Sequence, residues 1–122
     1  TRARSFIYTT GLPPATVAAA IASLELIATD YELVAKPIIN ARLFCRSLQL
    51  PEPESCIVPV ILGTTKRAIK ASKLLEEHGY IVTPIRPPTV AEGTSRLRVT
   101  FTANHKNADV RLLAEILRPF LS

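Results

Sequence analysis

The sequence lacks the features that mark membrane, secreted and metal-binding proteins. Its two cysteines, Cys45 and Cys56, form no CxxC pair and have no histidine at ligand spacing, which argues against a zinc site and a disulfide framework. No apolar run approaches the roughly 18 residues that cross a bilayer. The N-terminal residues do not resemble a secretory signal. We therefore expect a cytoplasmic protein with reduced thiols, no bound metal and no membrane partner.

Two further absences concern methionine and the aromatic residues. The sequence has no methionine, at position 1 or elsewhere, so we expect it to be part of a longer gene product. It has no tryptophan, three tyrosines and four phenylalanines. The net charge of +5 comes from 15 lysines and arginines against 10 acidic residues, but the basic residues are scattered and few rings can stack on bases. Nucleic acid is therefore disfavoured as a partner.

The residues that are present predict one globular domain of the α+β class. With 48% hydrophobic residues, a chain of 122 residues can bury a core. Helical and alternating periodicities predict helices at residues 15–28, 36–48, about 65–78 and 108–117, and strands at 56–62, 80–84 and 96–102. Two helices followed by β-α-β-β-α predict a small two-layer sandwich, in which a mainly antiparallel sheet carries helices on one face.

Four residues set expected boundaries within this pattern. Pro37 is expected near the start of the second helix, because proline is tolerated in a first turn. Pro59 lacks a ladder donor and predicts an edge strand or a bulge. Gly79 should end the third helix, and Asn107 should cap the last one.

One stretch, Ile85-Arg86-Pro87-Pro88-Thr89-Val90-Ala91-Glu92-Gly93-Thr94-Ser95-Arg96-Leu97-Arg98, has the composition of a carboxylate receptor. The two prolines predict an extended backbone, and Gly93 permits a turn that returns the chain. Arg86 and Thr89 could then face the strand that carries Arg98. Guanidinium groups bind carboxylates with a planar fork of donors. The alternative is that these arginines are solvated or paired with acids such as Glu92.

Other polar residues give weaker signals. Thr9 and Thr10 precede a helix and could hold a phosphate, although such hydroxyls are commonly caps. His105 could be a general base, but a local turn contact is the better prediction because no partner acid is fixed by sequence. His78 ends a helix and needs no further role. The five lysines fall on or near predicted helix surfaces, so none is expected to be a desolvated nucleophile.

Four segments, in order along the chain, carry a resemblance to a known family. They are Phe6-Ile7-Tyr8-Thr9-Thr10-Gly11-Leu12-Pro13-Pro14, Ile57-Val58-Pro59-Val60, Ile85-Arg86-Pro87-Pro88-Thr89-Val90 and Gly93-Thr94-Ser95-Arg96-Leu97-Arg98. They resemble the C-terminal region of the α-oxoamine synthases, which are fold-type-I acyltransferases that depend on pyridoxal phosphate (PLP). The resemblance covers nearly the whole chain. Its Arg-Pro-Pro-Thr-Val form is most similar to the member whose substrates are L-alanine and a pimeloyl thioester.

The resemblance implies roles for particular residues. Thr10 matches a hydroxyl that reaches the cofactor phosphate of the neighbouring subunit, which also implies a homodimer. Thr89 matches a substrate-binding threonine, and Arg86 and Arg98 match arginines near the substrate carboxylate. Ala91 departs from the family, which commonly has proline at that position.

The family's cofactor-binding lysine and the acid that contacts the cofactor ring have no counterpart in the sequence. We therefore expect residues 1–122 to be the single C-terminal domain of a larger enzyme, with residues 1–30 joining it to a large domain. The isolated chain is expected to be inactive, because PLP chemistry needs that lysine. A second interpretation is a free-standing small-ligand-binding or regulatory α+β module that holds a carboxylate with Arg86, Thr89 and Arg98.

Overall fold

The structure, a computed structural model, describes residues 10–121. It divides into two compact units, Thr1–Val34 and Ala35–Ser122. Its elements, in chain order, are α1 (Pro14–Thr29), α2 (Tyr31–Leu48), β1 (Ile57–Gly63), α3 (Thr65–Glu77), β2 (Thr83–Ile85), β3 (Ser95–Thr100), α4 (Asn107–Leu117) and a 3-10 turn (Arg118–Phe120). This order confirms the predicted succession of two helices and a β-α-β-β-α unit.

Helix α1 belongs to the first unit and is apolar all round. It begins at Pro14, where the missing N–H of proline costs no hydrogen bond. No residue of α1 is buried, and its predicted stripe of Val17, Ile21 and Leu24 is exposed. Glu25 is its one charged residue. Helices of this composition normally lie against other protein.

Helix α2 begins earlier than predicted. It starts at Tyr31, not near residue 36, because the side chain of Asp30 accepts a hydrogen bond of 2.9 Å from the Leu33 N–H and caps the helix. Pro37 therefore lies inside the helix, and its expected position near the start was wrong.

The sheet has the strand order β1-β3-β2, and both pairings are antiparallel. β1 is an edge strand, as Pro59 predicted, and its register with β3 shifts between Ile61 and Gly63. Gly63 has a φ of +81°, which glycine adopts without strain.

Strand β2 is shorter than predicted, because the preceding residues are committed to other hydrogen bonds. Gly79, with a φ of +84°, and Tyr80 close α3 by donating to the carbonyls of Glu76 and Leu75. The Val82 carbonyl accepts a hydrogen bond of 2.8 Å from the Ser72 hydroxyl. The predicted start at residue 80 was therefore too early, and pairing begins at Thr83.

The core lies between one face of the sheet and the helices of the second unit. Side chains from β1 and β3 meet those from α2, α3 and α4 in one cluster, whose members include Phe44, Cys45, Val58, Val60, Leu62, Ala68, Ala71, Leu75, Leu97, Val99, Phe101, Val110, Leu113, Ala114 and Leu117. Helices therefore cover one face, which confirms the predicted α+β sandwich. Within residues 10–121, no helix is both long and apolar enough to cross a bilayer.

A buried amide fixes the chain after β3. Asn40, which is 4% exposed, donates from Nδ2 to the carbonyls of Thr102 (3.0 Å) and His105 (3.1 Å). The Thr102 N–H donates to Nδ1 of His105, which confirms the predicted turn contact of this histidine. The N-cap of α4 is Lys106, so the expected cap at Asn107 was wrong. Asn107 is therefore the first residue inside the helix, and its side chain forms no hydrogen bond with the described part of the chain.

Asn40→Ala is expected to lower the free energy of unfolding by about 1–3 kcal/mol, because it leaves two carbonyls without their buried donor. Urea unfolding measures the change. Asn107→Ala is the matched control and should stay within about 0.5 kcal/mol of wild type. Equal effects of the two substitutions would contradict the assigned role of Asn40.

Burial raises the pKa of the Cys45 thiol, and the nearby charge of Glu52 adds to the rise. The unfolded thiol ionises at its ordinary pKa while the native thiol stays protonated, so the unfolded state then binds fewer protons. The contribution of Cys45 is complete below the ordinary thiol pKa and is lost as the pH rises through the native pKa. Urea unfolding from pH 7 to pH 10 should show a shallower alkaline loss of stability in Cys45→Ala and Cys45→Val. An unchanged slope in both variants would contradict this assignment.

Candidate functional site

The face of the sheet opposite the helices is open, and it carries the predicted arginine of β3. Along this strand Leu97 and Val99 point into the core, so the alternation of side chains directs Arg96 and Arg98 to the open face. Arg98 pairs with Pro59 of β1 on one side and with Thr83 of β2 on the other.

Arg98 is exposed and has an uncommitted guanidinium group. Within residues 10–121 its side chain forms no hydrogen bond and no ion pair. The predicted alternative of pairing with Glu92 is not found in that part of the chain either. Five N–H donors of a permanently charged fork are therefore free to bind a carboxylate.

Arg96 lies two residues away on the same face but is committed to the protein. Its Nε donates a hydrogen bond of 3.0 Å to the Thr94 carbonyl, and the residue is half-buried. The sequence pattern could not separate Arg96 from Arg98, because both alternate outward from the same strand.

The loop 86–94 joins β2 to β3 and carries Arg86 and Thr89. The Pro87-Pro88 peptide is cis, and the Thr89 N–H donates 3.0 Å to the Arg86 carbonyl, so the chain turns there. The predicted extended backbone was therefore wrong, because the hydrogen bond between Thr89 and Arg86 closes a turn in which the chain reverses. Arg86 and Thr89 are exposed, and within the described residues neither side chain forms a hydrogen bond.

The second turn of the loop is closed as predicted at Gly93, whose φ is +76°. The Ala91 carbonyl accepts two hydrogen bonds from Thr94, at 3.2 Å from the N–H and 2.7 Å from Oγ1. The loop therefore returns to β3 through a tight turn that Thr94 holds with both backbone and side chain.

The pairing of β2 with β3 sets the spacing of the two candidate arginines. Ile85 pairs with Arg96 in the last β2–β3 pair, so Arg86 lies one residue beyond that pair, at the loop end of the hairpin. Arg98 pairs with Thr83 at the start of β2, so it lies two residues from Arg96 in the direction away from the loop, a distance of roughly 7 Å along the strand. The described structure contains no direct bond between Arg86, Thr89 and Arg98, so all three groups are available to a ligand. Their role as substrate-binding residues stays a prediction.

A cleft of about 520 Å³ lies beside Arg98, between the segment 78–83, the end of β3 and α4. Apolar side chains, among them Val82, Phe101 and Leu113, line it together with polar residues, which are His78, Tyr80, Thr83, Arg98, Thr100, His105 and Asp109. The Tyr80 hydroxyl donates 3.1 Å to the Asp109 carbonyl, and burial raises the pKa of Tyr80, with a further rise from the Asp109 charge. Sequence analysis missed this cleft, because its walls are about 30 residues apart and meet only through tertiary packing.

The remaining candidates have local roles or exposed positions. His78 is the C-cap of α3, where its Nδ1 lies 2.8 Å from the Leu74 carbonyl. All five lysines are exposed, so none is a desolvated amine. Thr10 is exposed ahead of α1, and Thr9 lies outside the described residues. Within residues 10–121, no group of three His, Cys, Asp or Glu side chains could hold a metal ion.

The chain is similar to known proteins in both sequence and fold. The chain is 55% identical over 121 residues to the 8-amino-7-oxononanoate synthase of Granulibacter bethesdensis, and the match covers 99% of this chain and 32% of that protein. A structure of serine palmitoyltransferase with PLP matches with a TM-score of 0.80 and 28% identity, over 98% of this chain and 32% of that one. The 8-amino-7-oxononanoate synthase structure from Francisella tularensis matches with a TM-score of 0.75 and 25% identity, over 92% and 34%.

The chain therefore spans about a third of the length of the relatives it matches. These matches confirm the resemblance to the α-oxoamine synthases. The family model for aminotransferase class I and II matches residues 1–117. The chain belongs to the aminotransferase class I and II family.

Proposed function

We propose that this chain is the C-terminal part of an 8-amino-7-oxononanoate synthase. The reaction joins L-alanine to a pimeloyl thioester with loss of CO2, and the product belongs to biotin biosynthesis. The observation that carries the proposal is the 55% identity to such a synthase over 99% of this chain. A second support is the guanidinium group of Arg98, which has no partner among the described residues and can bind a carboxylate on the open face of the sheet.

In this proposal the chain recognises the substrate carboxylate. Arg98 offers an exposed, permanently charged fork from the central strand, whose backbone is fixed on both sides by pairing. Arg86 adds a second guanidinium from the turn at the start of the loop 86–94, and Thr89 adds a hydroxyl. Two guanidinium groups around one carboxylate favour its charge and fix its orientation.

The described residues fit the phosphate end of PLP but not the end that reacts with an amine. When bound, PLP acts as an electron sink for the carbanion at Cα of an amino acid. This needs an amine in a desolvated site, and all five lysines of the chain are exposed. The exposed Thr10 hydroxyl fits as a donor to the phosphate. The chain therefore contributes a phosphate contact and the carboxylate receptor, and the lysine belongs to the rest of the enzyme.

The arrangement of the chain in the enzyme is part of the same proposal. Residues 1–122 form the C-terminal domain, and residues 1–30 join it to the large domain, for which the apolar surface of α1 is suited. Thr10 reaches the cofactor phosphate of the neighbouring subunit, so the enzyme is a homodimer. A biosynthetic enzyme of this kind works in the cytoplasm.

A chimeric enzyme tests the proposal. The segment of the Granulibacter bethesdensis synthase that matches this chain is replaced by residues 1–122, and synthesis of 8-amino-7-oxononanoate is measured. We expect activity within roughly tenfold of the parent, because the segments share over half their residues. In the chimera, Arg98→Lys should lower kcat/KM for L-alanine by about 10- to 100-fold, because an ammonium cannot form the two parallel bonds of a guanidinium.

Arg111→Lys is the control, since Arg111 is exposed on α4 and does not line the cleft beside Arg98, and its kcat/KM should equal that of the unsubstituted chimera. A folded chimera that binds PLP but makes no product would contradict the proposed function. An Arg98→Lys chimera that behaves like the Arg111→Lys control would contradict the assignment of Arg98.

The isolated chain is expected to make no product from L-alanine and a pimeloyl thioester in the presence of PLP, because it lacks a desolvated lysine. Product formation is followed by mass spectrometry. Turnover by the chain alone would overturn this expectation. Tight binding of L-alanine or pimelate to the isolated chain, with an inactive chimera, would favour a free-standing ligand-binding module.

A further inference from the structure

We propose that Arg96 is the positioning residue of the recognition loop, defined as residues 86–94, and that it acts by a hydrogen bond and not by its charge. This inference rests on the proposed function only where it predicts a change in the KM of the enzyme. Arg98 contacts the ligand in that proposal, whereas Arg96 sets the shape of the loop that carries Arg86 and Thr89.

The first observation is the bond that Arg96 makes. Its Nε donates 3.0 Å to the Thr94 carbonyl, which is the last carbonyl of the recognition loop. The residue is half-buried, whereas Arg86 and Arg98 are exposed. A half-buried bond is shielded from competing water better than an exposed one.

The second observation is that Thr94 also forms two hydrogen bonds within the loop. Its N–H and its Oγ1 both donate to the Ala91 carbonyl, at 3.2 and 2.7 Å. The φ of +76° at Gly93 allows this tight turn. Holding the Thr94 carbonyl from one side and the Ala91 carbonyl from the other fixes the plane of the turn.

The third observation is that Arg96 also marks the other end of the loop. Its backbone pairs with Ile85, the residue immediately before Arg86. Both ends of the recognition loop therefore meet at Arg96, one through strand pairing and one through its side chain. The middle of the loop has one internal bond, from the Thr89 N–H to the Arg86 carbonyl, so its position depends on the ends.

The start of β3 is tied to α3 at the same point. The hydroxyls of Ser95 and Thr65 lie 3.2 Å apart, and Ser95 is 1% exposed. A Cβ placed on Gly63 would lie 3.8 Å from the Gly93 carbonyl, so the turn packs closely on the end of β1. Arg96 therefore acts between two fixed parts of the fold and not on a free loop.

Two substitutions that match each other in length separate the hydrogen bond from the charge. Arg96→Gln places an N–H donor at the same number of bonds from the backbone as Nε, but it is neutral. Arg96→Met has nearly the length of glutamine and has neither an N–H donor nor a charge. NMR exchange of the Thr94 amide in the 122-residue chain should be about three- to tenfold faster in Arg96→Met than in wild type, since the turn closed by this amide then loses the hydrogen bond on the Thr94 carbonyl and opens more often. Arg96→Gln should remain within about twofold of wild type.

The Tyr80 amide is the internal control, because it donates to the Leu75 carbonyl at the end of α3 and should exchange equally in all three proteins. Equal Thr94 exchange in wild type and Arg96→Met would overturn the proposal. Equal acceleration in Arg96→Gln and Arg96→Met would also overturn it, because the charge would then be the active feature.

In the chimeric enzyme, Arg96→Met should raise the KM for L-alanine by about three- to tenfold with a smaller change in kcat. Arg96→Gln should keep the KM for L-alanine near that of the unsubstituted chimera. A KM unchanged in Arg96→Met would overturn the positioning role even if amide exchange responds. An inactive unsubstituted chimera would be a failure of the proposed function, and the exchange measurements on the 122-residue chain would still decide whether Arg96 holds the loop.

Discussion

The pairing of β3 between β1 and β2 is the constraint on which the rest of the structure depends. As the central strand, β3 is held on both edges, so the outward direction of Arg98 follows from the burial of Leu97 and Val99. A register slip of one residue would bury both arginines of the strand and expose its core side chains. The cost of burying two unpaired guanidinium groups therefore adds to the apolar packing in protecting the register.

The two arginines of β3 differ in role, since one holds the structure and the other is proposed to bind the ligand. Arg96 donates to the Thr94 carbonyl, whereas the Arg98 side chain forms no hydrogen bond with any of the described residues 10–121. Buried polar groups fix the surrounding chain: Asn40 holds the turn after β3, and Ser95 meets Thr65 at its start. The backbone of Arg98 is already held by pairing on both sides, so only its side chain has to be ordered when a ligand binds, which favours affinity.

Much of this fold follows from local sequence signals. The alternation of β3, the edge position of Pro59 and the Gly79 stop each reflect backbone chemistry within a few residues, and the structure confirms them. The errors had both distant and local causes. Val82 is kept out of β2 by Ser72 of α3, whereas a local turn, closed by the Thr89 N–H on the Arg86 carbonyl, replaces the extended segment that two prolines predict. The candidate site was found from residue types and a family resemblance, but the different commitments of Arg96 and Arg98 depend on a turn that spacing alone does not specify.

The most direct test of the central claim is a crystal structure of the chimeric enzyme with L-alanine bound. The account predicts that the substrate carboxylate lies about 2.7–3.2 Å from guanidinium nitrogens of Arg98, with Arg96 still bonded to the Thr94 carbonyl. A carboxylate held entirely by residues outside this chain, with Arg98 in solvent, would contradict it.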